Sequence, residues 1–291
     1  MDNALELRNV SKVYGNFSLK DLNFILPRGF VMGFIGPNGA GKTTTVKLMM
    51  NLVKKDCGEI RIFGMDPVKH ELEIKEKIGF VYDESCFYEE LTIEEMKNVI
   101  RPFYKNWDER LFIKYLDDFQ LFPKMKIRQL SKGMKMKFSL AVALSHHAEL
   151  LVMDEPTSGL DPLVRNELVK IINQLMEDDR KAVFFSTHIT SDLEKIADYI
   201  TIINHGEILL SRPKDELLEQ YCLVKGSNDF LQKHKVPFIG LEKNDFGFKA
   251  LSGNKAEILE QFAGEVVVEK PSLEDILLFV AKGSDQVVSL N

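Results

Sequence analysis

One eight-residue segment constrains this chain more than any other. Residues 36 to 43 read Gly-Pro-Asn-Gly-Ala-Gly-Lys-Thr and fit the pattern GxxxxGK[ST], after the apolar run Val31–Ile35 and before a stretch of helical periodicity. Glycines let such a loop curl with its N–H groups pointing inward, and the following helix N-terminus adds partial positive charge. The sequence therefore predicts a polyphosphate-binding loop formed by Gly36, Pro37, Asn38, Gly39, Ala40, Gly41, Lys42, Thr43 and Thr44.

The chemistry of hydrolysis is predicted from this loop together with a second segment. Lys42 is expected to neutralise charge on the β- and γ-phosphates, and Thr43 to offer its hydroxyl to Mg²⁺. A buried run ends in the adjacent carboxylates Asp154 and Glu155. Two adjacent acidic residues at the end of a strand usually belong to a solvated turn or cap a helix. With the upstream loop present, we expect Asp154 to bind Mg²⁺ and Glu155 to polarise or deprotonate the water that attacks the γ-phosphate.

Short apolar runs alternate with amphipathic stretches, which indicates an α/β fold around a mostly parallel central sheet. The runs predicted as buried central strands are Val31–Ile35, Glu149–Asp154, Ala182–Thr187 and Tyr199–Asn204. Ligands of such sheets bind at the carboxyl ends of the strands. His188 follows one of these strands, so its imidazole is predicted to reach the γ-phosphate, although a lone histidine more often caps a helix or packs. Ser191 and Glu194 are predicted to form a capping box that opens the next helix.

The regions that flank the central sheet differ in pattern. Antiparallel strands are predicted at the N-terminus and a helical lobe at about residues 84–147, within an ATP-binding domain of residues 1–212. A small α+β domain is predicted for residues 213–291. Its predicted elements are strands Tyr221–Lys225, Phe246–Leu251 and Glu265–Glu269, and helices Lys255–Phe262 and Ser272–Ala281. In the last helix, Leu273, Ile276, Leu277 and Val280 form an apolar face that packs on its own strands or on a partner.

Composition excludes several classes of protein. The 291 residues carry 38 Lys and Arg against 44 Asp and Glu, a net charge of −6, which argues against nucleic acid as a partner. The three cysteines form no CxxC pair, so neither a disulfide framework nor a zinc site is predicted. No apolar stretch approaches the roughly 18 residues of a membrane span, and Met1–Lys12 lacks the apolar region of a signal peptide. These patterns predict a cytoplasmic chain.

Two further segments carry a family resemblance. Leu130-Ser131-Lys132-Gly133-Met134 lies just before the acidic strand, and Ser158-Gly159-Leu160-Asp161 lies just after it. The order of all these segments over residues 4 to 211 resembles the ATPase subunit of ABC transporters. The resemblance implies a P-loop NTPase core with ATP and Mg²⁺ as cofactors, and a homodimer or heterodimer of ATP-binding subunits packed head to tail.

The resemblance also assigns residues to the interface of that dimer. Ser131 and Gly133 would contact the γ-phosphate held by the opposite subunit, and Asp161 would lie in the loop that links the two sites. Asp161 is also predicted to cap a helix that begins at Pro162. Tyr14 matches the aromatic residue that stacks on adenine, although packing in the core is an alternative of comparable weight.

The sequence departs from the family pattern at two places. Asp83 stands where the family has glutamine in the loop between core and lobe; it can hold Mg²⁺ through water, but it cannot donate a hydrogen bond. The signature reads LSKGM instead of LSGGQ, with Lys132 in a basic run from Lys124 to Lys137. That run either is a solvated helix face or strengthens the ATP-dependent closure of the dimer.

The tail is similar to the extensions of ATPases that serve bacterial ABC-2-type exporters, which implies an export motor. Its partners would be integral membrane subunits whose short cytoplasmic helices lie near Asp83–Tyr88, and the chain would be peripheral on the inner face of the cell membrane. Phe87, Tyr88 and Met96 either line that groove or belong to the core of the lobe. The alternative function is a soluble or regulatory ABC ATPase that is not coupled to cargo transport.

Overall fold

The apolar runs of the sequence form the centre of an α/β fold. The computed structural model describes residues 2–82 and 87–288. Its strands are β1 Asn3–Tyr14, β2 Phe17–Pro27, β3 Val31–Ile35, β4 Cys57–Ile62, β5 Ile78–Tyr82, β6 Leu150–Asp154, β7 Ala182–Thr187, β8 Tyr199–Asn204, β9 Glu207–Pro213, β10 Cys222–Gly226, β11 Gly240–Asn244, β12 Gly247–Ser252 and β13 Val267–Glu269.

The helices fall between these strands and at the end of the chain. They are α1 Lys42–Met49, α2 Glu71–Lys77, α3 Ile93–Ile100, α4 Glu109–Asp118, α5 Lys132–Ser145, α6 Pro162–Leu175, α7 Thr190–Ile196, α8 Lys214–Gln220, α9 Asn228–Lys233, α10 Lys255–Phe262 and α11 Leu273–Val288. Within the ranges that the structure describes, no helix combines the length and the apolar character that crossing a membrane requires.

The central sheet has six strands in the order β5-β6-β7-β3-β8-β9. Neighbouring strands from β5 to β8 are parallel, and β9 is antiparallel to β8 at the edge. The predicted α/β class and mostly parallel sheet are therefore confirmed. Strands β3, β7 and β8 have the predicted bounds, and β6 begins one residue later than predicted. Because β6, β7 and β3 are neighbours, their carboxyl ends lie side by side.

A second sheet, in the order β2-β1-β4, is antiparallel and covers one side of the central sheet. Phe24 of β2 packs against Phe34 of β3 and Phe184 of β7, with ring centroids 5.6 and 5.9 Å away. The predicted N-terminal β subdomain is thus present, and aromatic packing joins it to the strands that carry the phosphate loop.

The predicted helical lobe corresponds to α3, α4 and α5. Between residues 87 and 147, the structure shows helices, turns and one isolated bridge between Thr92 and Lys126. Phe112 and Phe138 lie at the centre of the lobe, and the ring of Trp107 lies 5.2 Å from that of Phe112. Aromatic packing therefore stabilises the lobe.

The C-terminal residues form a β-α-β-β-α-β unit with strand order β11-β12-β10-β13, all neighbours antiparallel. This is the split βαβ, or ferredoxin-like, arrangement. Phe230 of α9 and Ile258 of α10 pack on one face of the sheet, and Ile276 and Phe279 of α11 belong to the cluster on the other. The division into domains at residues 212 and 213 stays a prediction, which this separate sheet supports.

His146, at the end of α5, is buried where the lobe meets α2. Its ring stacks on Tyr104 at a centroid distance of 3.9 Å, and its Nδ1 lies 3.2 Å from the carbonyl oxygen of Glu76. Burial lowers the pKa of His146 from 6.5 to about 4. The folded protein therefore holds this imidazole in its neutral form at neutral pH.

A lowered folded-state pKa at His146 makes stability depend on pH. Above about pH 6.5 the free energy of unfolding carries no penalty from this residue. As the pH falls from there towards 4, the unfolded state binds a proton more readily than the folded state, and the free energy of unfolding decreases by up to about 3 kcal/mol. We expect His146→Gln to show a smaller loss of unfolding free energy between pH 7 and pH 4.5 than the native chain, measured by urea denaturation. Exposed His70→Gln is the control and should keep the native pH slope; equal slopes for native and His146→Gln would contradict the assignment.

Candidate functional site

The predicted phosphate loop lies between β3 and α1, as its chemistry requires. Only glycine fits at position 36, because a Cβ atom there would lie 2.2 Å from the carbonyl oxygen of Ile203. Gly41 has a φ of 113°, and a Cβ atom there would lie 2.5 Å from the side chain of Leu19, so both its backbone conformation and the space around it favour glycine. The backbone N–H of Gly206 donates to the carbonyl of Ala40 at 3.0 Å. The loop is therefore fixed from the β8–β9 side, while residues 37 to 39 remain exposed.

Lys42 is buried beneath this loop, with its side chain 6% exposed. Its Nζ donates to the carbonyl oxygens of Gly36 at 2.8 Å and Pro37 at 3.2 Å. The same Nζ lies 3.1 Å from Oε1 of Glu155. The phosphate loop and the acidic strand end predicted from sequence are thus joined by an ion pair.

Glu155 also contacts His188. Its Oε2 lies 2.8 Å from Nδ1 of His188 and accepts the backbone N–H of His188 at 3.3 Å. The carboxylate is thereby held between Lys42 and His188. Glu155 has a φ of 51°, which is uncommon for a residue other than glycine, and such conformations cluster at functional sites.

Asp154 is the buried member of the acidic pair, only 3% exposed. Burial raises the pKa of its carboxyl, while hydrogen bonds from the Thr43 and Ser186 hydroxyls oppose the shift; Ser186 Oγ donates at 2.9 Å. Thr43 and Asp154 present hydroxyl and carboxylate oxygens, the ligand types that Mg²⁺ prefers. The two residues therefore fit the predicted metal role.

Ser186 is the residue of this site that the sequence did not reveal. It lies opposite Asp154 in the parallel pairing of β7 with β6. The signal that could have found it is the order of the strands, which a single sequence does not give.

Ser131, Gly133 and Asp161 lie in a second cluster. Ser131 caps α5 and accepts the N–H of Met134 at 3.2 Å, and Asp161 caps α6 by accepting the N–H groups of Leu163 and Val164. Val164 packs on Gly133, where a Cβ atom would lie 3.0 Å from its side chain. The starts of α5 and α6 therefore touch, and Ser131 and Asp161 are exposed. The predicted helix cap at Asp161 and helix start at Pro162 are confirmed.

Tyr14 ends β1 opposite Phe17, whose ring lies beside Gly41 of the phosphate loop. Its side chain is 39% exposed, and Lys12 Nζ lies 5.4 Å from its ring centroid. A tyrosine that remains this accessible beside the loop is better placed to stack on a ligand than to fill the core. Its role with adenine stays a prediction.

Comparison with known proteins agrees with this geometry. Residues 19–158 match the family model described as ABC transporter. A bacitracin transport ATP-binding protein of Bacillus licheniformis is 37% identical over 223 residues, which cover 75% of this chain and 72% of that protein. A lantibiotic transport ATP-binding protein of Streptococcus pyogenes is 34% identical over 72% of this chain and 91% of its own length. A solved ATP-binding subunit of an ABC transporter superposes with a TM-score of 0.69 at 29% identity, covering 75% of this chain and 92% of that one.

The chain belongs to the ATP-binding subunits of ABC transporters. The resemblance stated from its motifs is thereby confirmed, and with it ATP binding and the P-loop ATPase activity of the family.

Three predictions on this ABC subunit have different outcomes. Asp83 lies outside the described residues. The capping box of Ser191 and Glu194 is wrong, because α7 begins after Ile189 with no side-chain cap and Glu194 bonds elsewhere. Met96 is buried and Phe87 packs on Phe138, so both belong to the lobe core, whereas the side chain of Tyr88 is exposed.

Four cations of the basic run near the signature of this ABC subunit pair with acids from outside the run. Lys126 and Arg128 pair with Glu90, Lys135 pairs with Glu89 and Lys137 with Glu167. These pairs favour the interpretation of a solvated helix face.

Removal of the Ser186 hydroxyl tests how the buried carboxylate of Asp154 is stabilised. We expect Ser186→Ala to lower the free energy of unfolding by about 1–3 kcal/mol at pH 7, because a buried acceptor loses its donor. Urea denaturation measures the change. Ser139→Ala is the matched control, since its hydroxyl donates within its own helix, to the carbonyl oxygen of Lys135. An effect no larger than that of the control would show that Asp154 does not depend on Ser186.

Proposed function

We propose that this ABC ATPase subunit drives export through separate membrane subunits, and that two copies, or this chain and a relative, enclose two ATP molecules between them. The observation that carries the catalytic part is the carboxylate of Glu155, held between Lys42 and His188 beside the phosphate loop. A role in transport is supported by the relatives named for bacitracin and lantibiotic transport, and its direction by the C-terminal unit, whose sequence is similar to the extensions of export ATPases.

The phosphate loop and Lys42 would bind the triphosphate. Backbone N–H groups at the start of α1 favour anionic oxygens, and the Lys42 ammonium adds a full charge. Thr43, Asp154 and Asp83 would hold Mg²⁺, which supplies charge neutralisation at the β- and γ-phosphate oxygens when bound. Tyr14 would stack on adenine.

Glu155 would act on the attacking water. Its Oε1 is buried and has the ion contact with Lys42, but within the described ranges it accepts no directed hydrogen bond. A buried acceptor of this kind is expected to take a donor. A water that donates to Oε1 would have its nucleophilic oxygen oriented by the residue that can also remove its proton.

His188 would connect Glu155 to the γ-phosphate. Its Nδ1 lies 2.8 Å from Oε2 of Glu155, so the imidazole would orient the base through one ring nitrogen and contact the γ-phosphate with the other.

The exposed second cluster supports a site completed by the facing subunit. Ser131, Gly159 and Asp161 are exposed, and Leu163 is 76% exposed beside them. The N-terminus of α5 favours a nearby anion. In the proposed dimer, Ser131 and Gly133 would meet the γ-phosphate that the opposite phosphate loop binds.

The membrane subunits would dock on the side of the lobe next to α2 and place the chain at the inner face of the cell membrane. Leu72 of α2 and Phe103, which follows α3, are 81% and 76% exposed, and Tyr88 at the start of the lobe is 66% exposed. The segment after Phe103 contacts α2, since the N–H of Lys105 donates to the Glu76 carboxylate. Exposed apolar side chains are typical of protein-binding surfaces when they cluster.

Glu155→Gln tests the catalytic assignment. We expect ATP hydrolysis to fall by about 100-fold or more, because the amide cannot accept a proton, while ATP still binds. A dimer should then accumulate with Mg²⁺ and ATP in size-exclusion chromatography. Glu260→Gln, an exposed change on α10, should match the native chain in both measurements. Full hydrolysis by Glu155→Gln would refute the assignment.

Co-purification from membranes tests the partner assignment. The full chain, isolated with its associated proteins after mild solubilisation, is expected to bring an integral membrane subunit with it. A matched preparation of the Leu72→Glu/Phe103→Glu variant should lose that subunit while it retains ATP hydrolysis. Isolation of the native chain without any membrane subunit would favour the ATPase that is not coupled to transport.

A further inference from the structure

Glu194 connects the ATPase core to the C-terminal unit. Instead of capping α7, its Oε1 accepts the backbone N–H of Leu273, the first residue of α11, at 3.0 Å. Its own carbonyl accepts a hydrogen bond from Lys214 Nζ at 3.1 Å. A carboxylate at a helix N-terminus is a stabilising contact, so α7 and α11 are held together by it.

Helix α11 is in turn fixed to the C-terminal sheet. Ser272 and Asp275 cap its first turn, and Asp275 also pairs with Lys249 of β12 at 2.6 Å. Further along, Lys282 pairs with Glu242 of β11 at 2.5 Å. Ionic contacts to two strands therefore make α11 part of the C-terminal unit.

Helix α7 is packed on the strand that carries the phosphate loop. Leu193 fills the space above Gly33 of β3, where a Cβ atom would lie 2.7 Å from the leucine side chain. Lys195 of α7 donates to Asn166 of α6 at 3.1 Å. The helix begins at Thr190, so only Ile189 separates it from His188. A shift of α7 is therefore expected to move the imidazole that contacts Glu155.

We propose that Glu194 is a positioning residue for ATP hydrolysis: by holding Leu273, it lets the C-terminal unit fix α7 and thereby set His188 against Glu155. The inference rests on the proposed role of His188. It assigns the C-terminal unit an effect on turnover rather than on ATP affinity, because α7 leads directly to His188, whereas it meets the phosphate-loop strand at Gly33, before the loop begins at Gly36.

The first test compares two changes at Glu194 in the full chain. Glu194→Ala removes the acceptor, and we expect kcat to fall by about three- to tenfold with KM for ATP within twofold of native. Glu194→Gln keeps an oxygen that can accept the same N–H and should retain most of the native kcat. A loss shared equally by both variants, or a native kcat in Glu194→Ala, would overturn the proposal.

The second test removes the same hydrogen bond from the other side. Leu273→Pro lacks the N–H, and proline is tolerated at the first position of a helix. Leu273→Ala is the matched control, because it loses similar side-chain packing but keeps the donor. We expect kcat to be lower in Leu273→Pro than in Leu273→Ala. The double variant Glu194→Ala/Leu273→Pro should be no slower than the slower single variant, whereas multiplied losses would contradict a shared contact.

His188→Ala separates failure of this inference from failure of the proposed function. Loss of hydrolysis in His188→Ala together with native turnover in Glu194→Ala would refute only the link through α11. Undiminished hydrolysis in His188→Ala would refute the role of His188 on which the link depends. Thermal unfolding of every variant in the same buffer identifies a variant whose lower rate follows from unfolding. If Glu194→Ala is such a variant, the kcat of Glu194→Gln relative to the native chain tests the proposal.

Discussion

The adjacency of β6, β7 and β3 is the constraint on which the site depends. Parallel pairing sets Asp154 opposite Ser186, and Ile35 opposite Thr187. Neighbouring strands lie about 4.8 Å apart, so the residues that follow them emerge side by side at one edge of the sheet. Glu155 and the phosphate loop are brought together in this way, although more than a hundred residues separate them in the chain.

Where local pattern and burial agree, the fold could be predicted from sequence. Strands β3, β7 and β8 are short apolar runs bounded by polar residues, and their bounds match the prediction. Three strands were not predicted, for different reasons. In β5, the pattern is weakened by Gly79, a residue type that is depleted in strands but is needed here because Ala143 packs where a Cβ would lie. Strand β9 is a half-buried edge strand, which lacks the fully buried apolar run of the central strands. Strand β11 has the mostly polar sequence Gly-Leu-Glu-Lys-Asn.

Contacts between distant segments explain what the sequence could not give at the site. The phosphate loop is a local motif, so its position between β3 and α1 follows from the eight consecutive residues 36 to 43. Glu194 has the spacing of a capping box, yet its acceptor oxygen binds Leu273, which lies 79 positions away. The basic residues near the signature are likewise neutralised by Glu89 and Glu90, across the lobe. A capping pattern or a charge run is a local feature of the sequence, and a contact with a distant residue can override what it predicts.

The backbone at Glu155 shows how two adjacent carboxylates can serve one loop. Successive side chains of a strand point to opposite faces, so a continued β6 would direct Asp154 and Glu155 apart. The positive φ at Glu155 turns the chain immediately after Asp154. Its N–H donates to Ser186 and its carbonyl accepts from Ser158, at 2.9 and 3.1 Å, so neighbouring segments impose this conformation. Asp154 thus contacts Thr43 while Glu155 contacts Lys42, and the strain places both acids against adjacent residues of the same helix start.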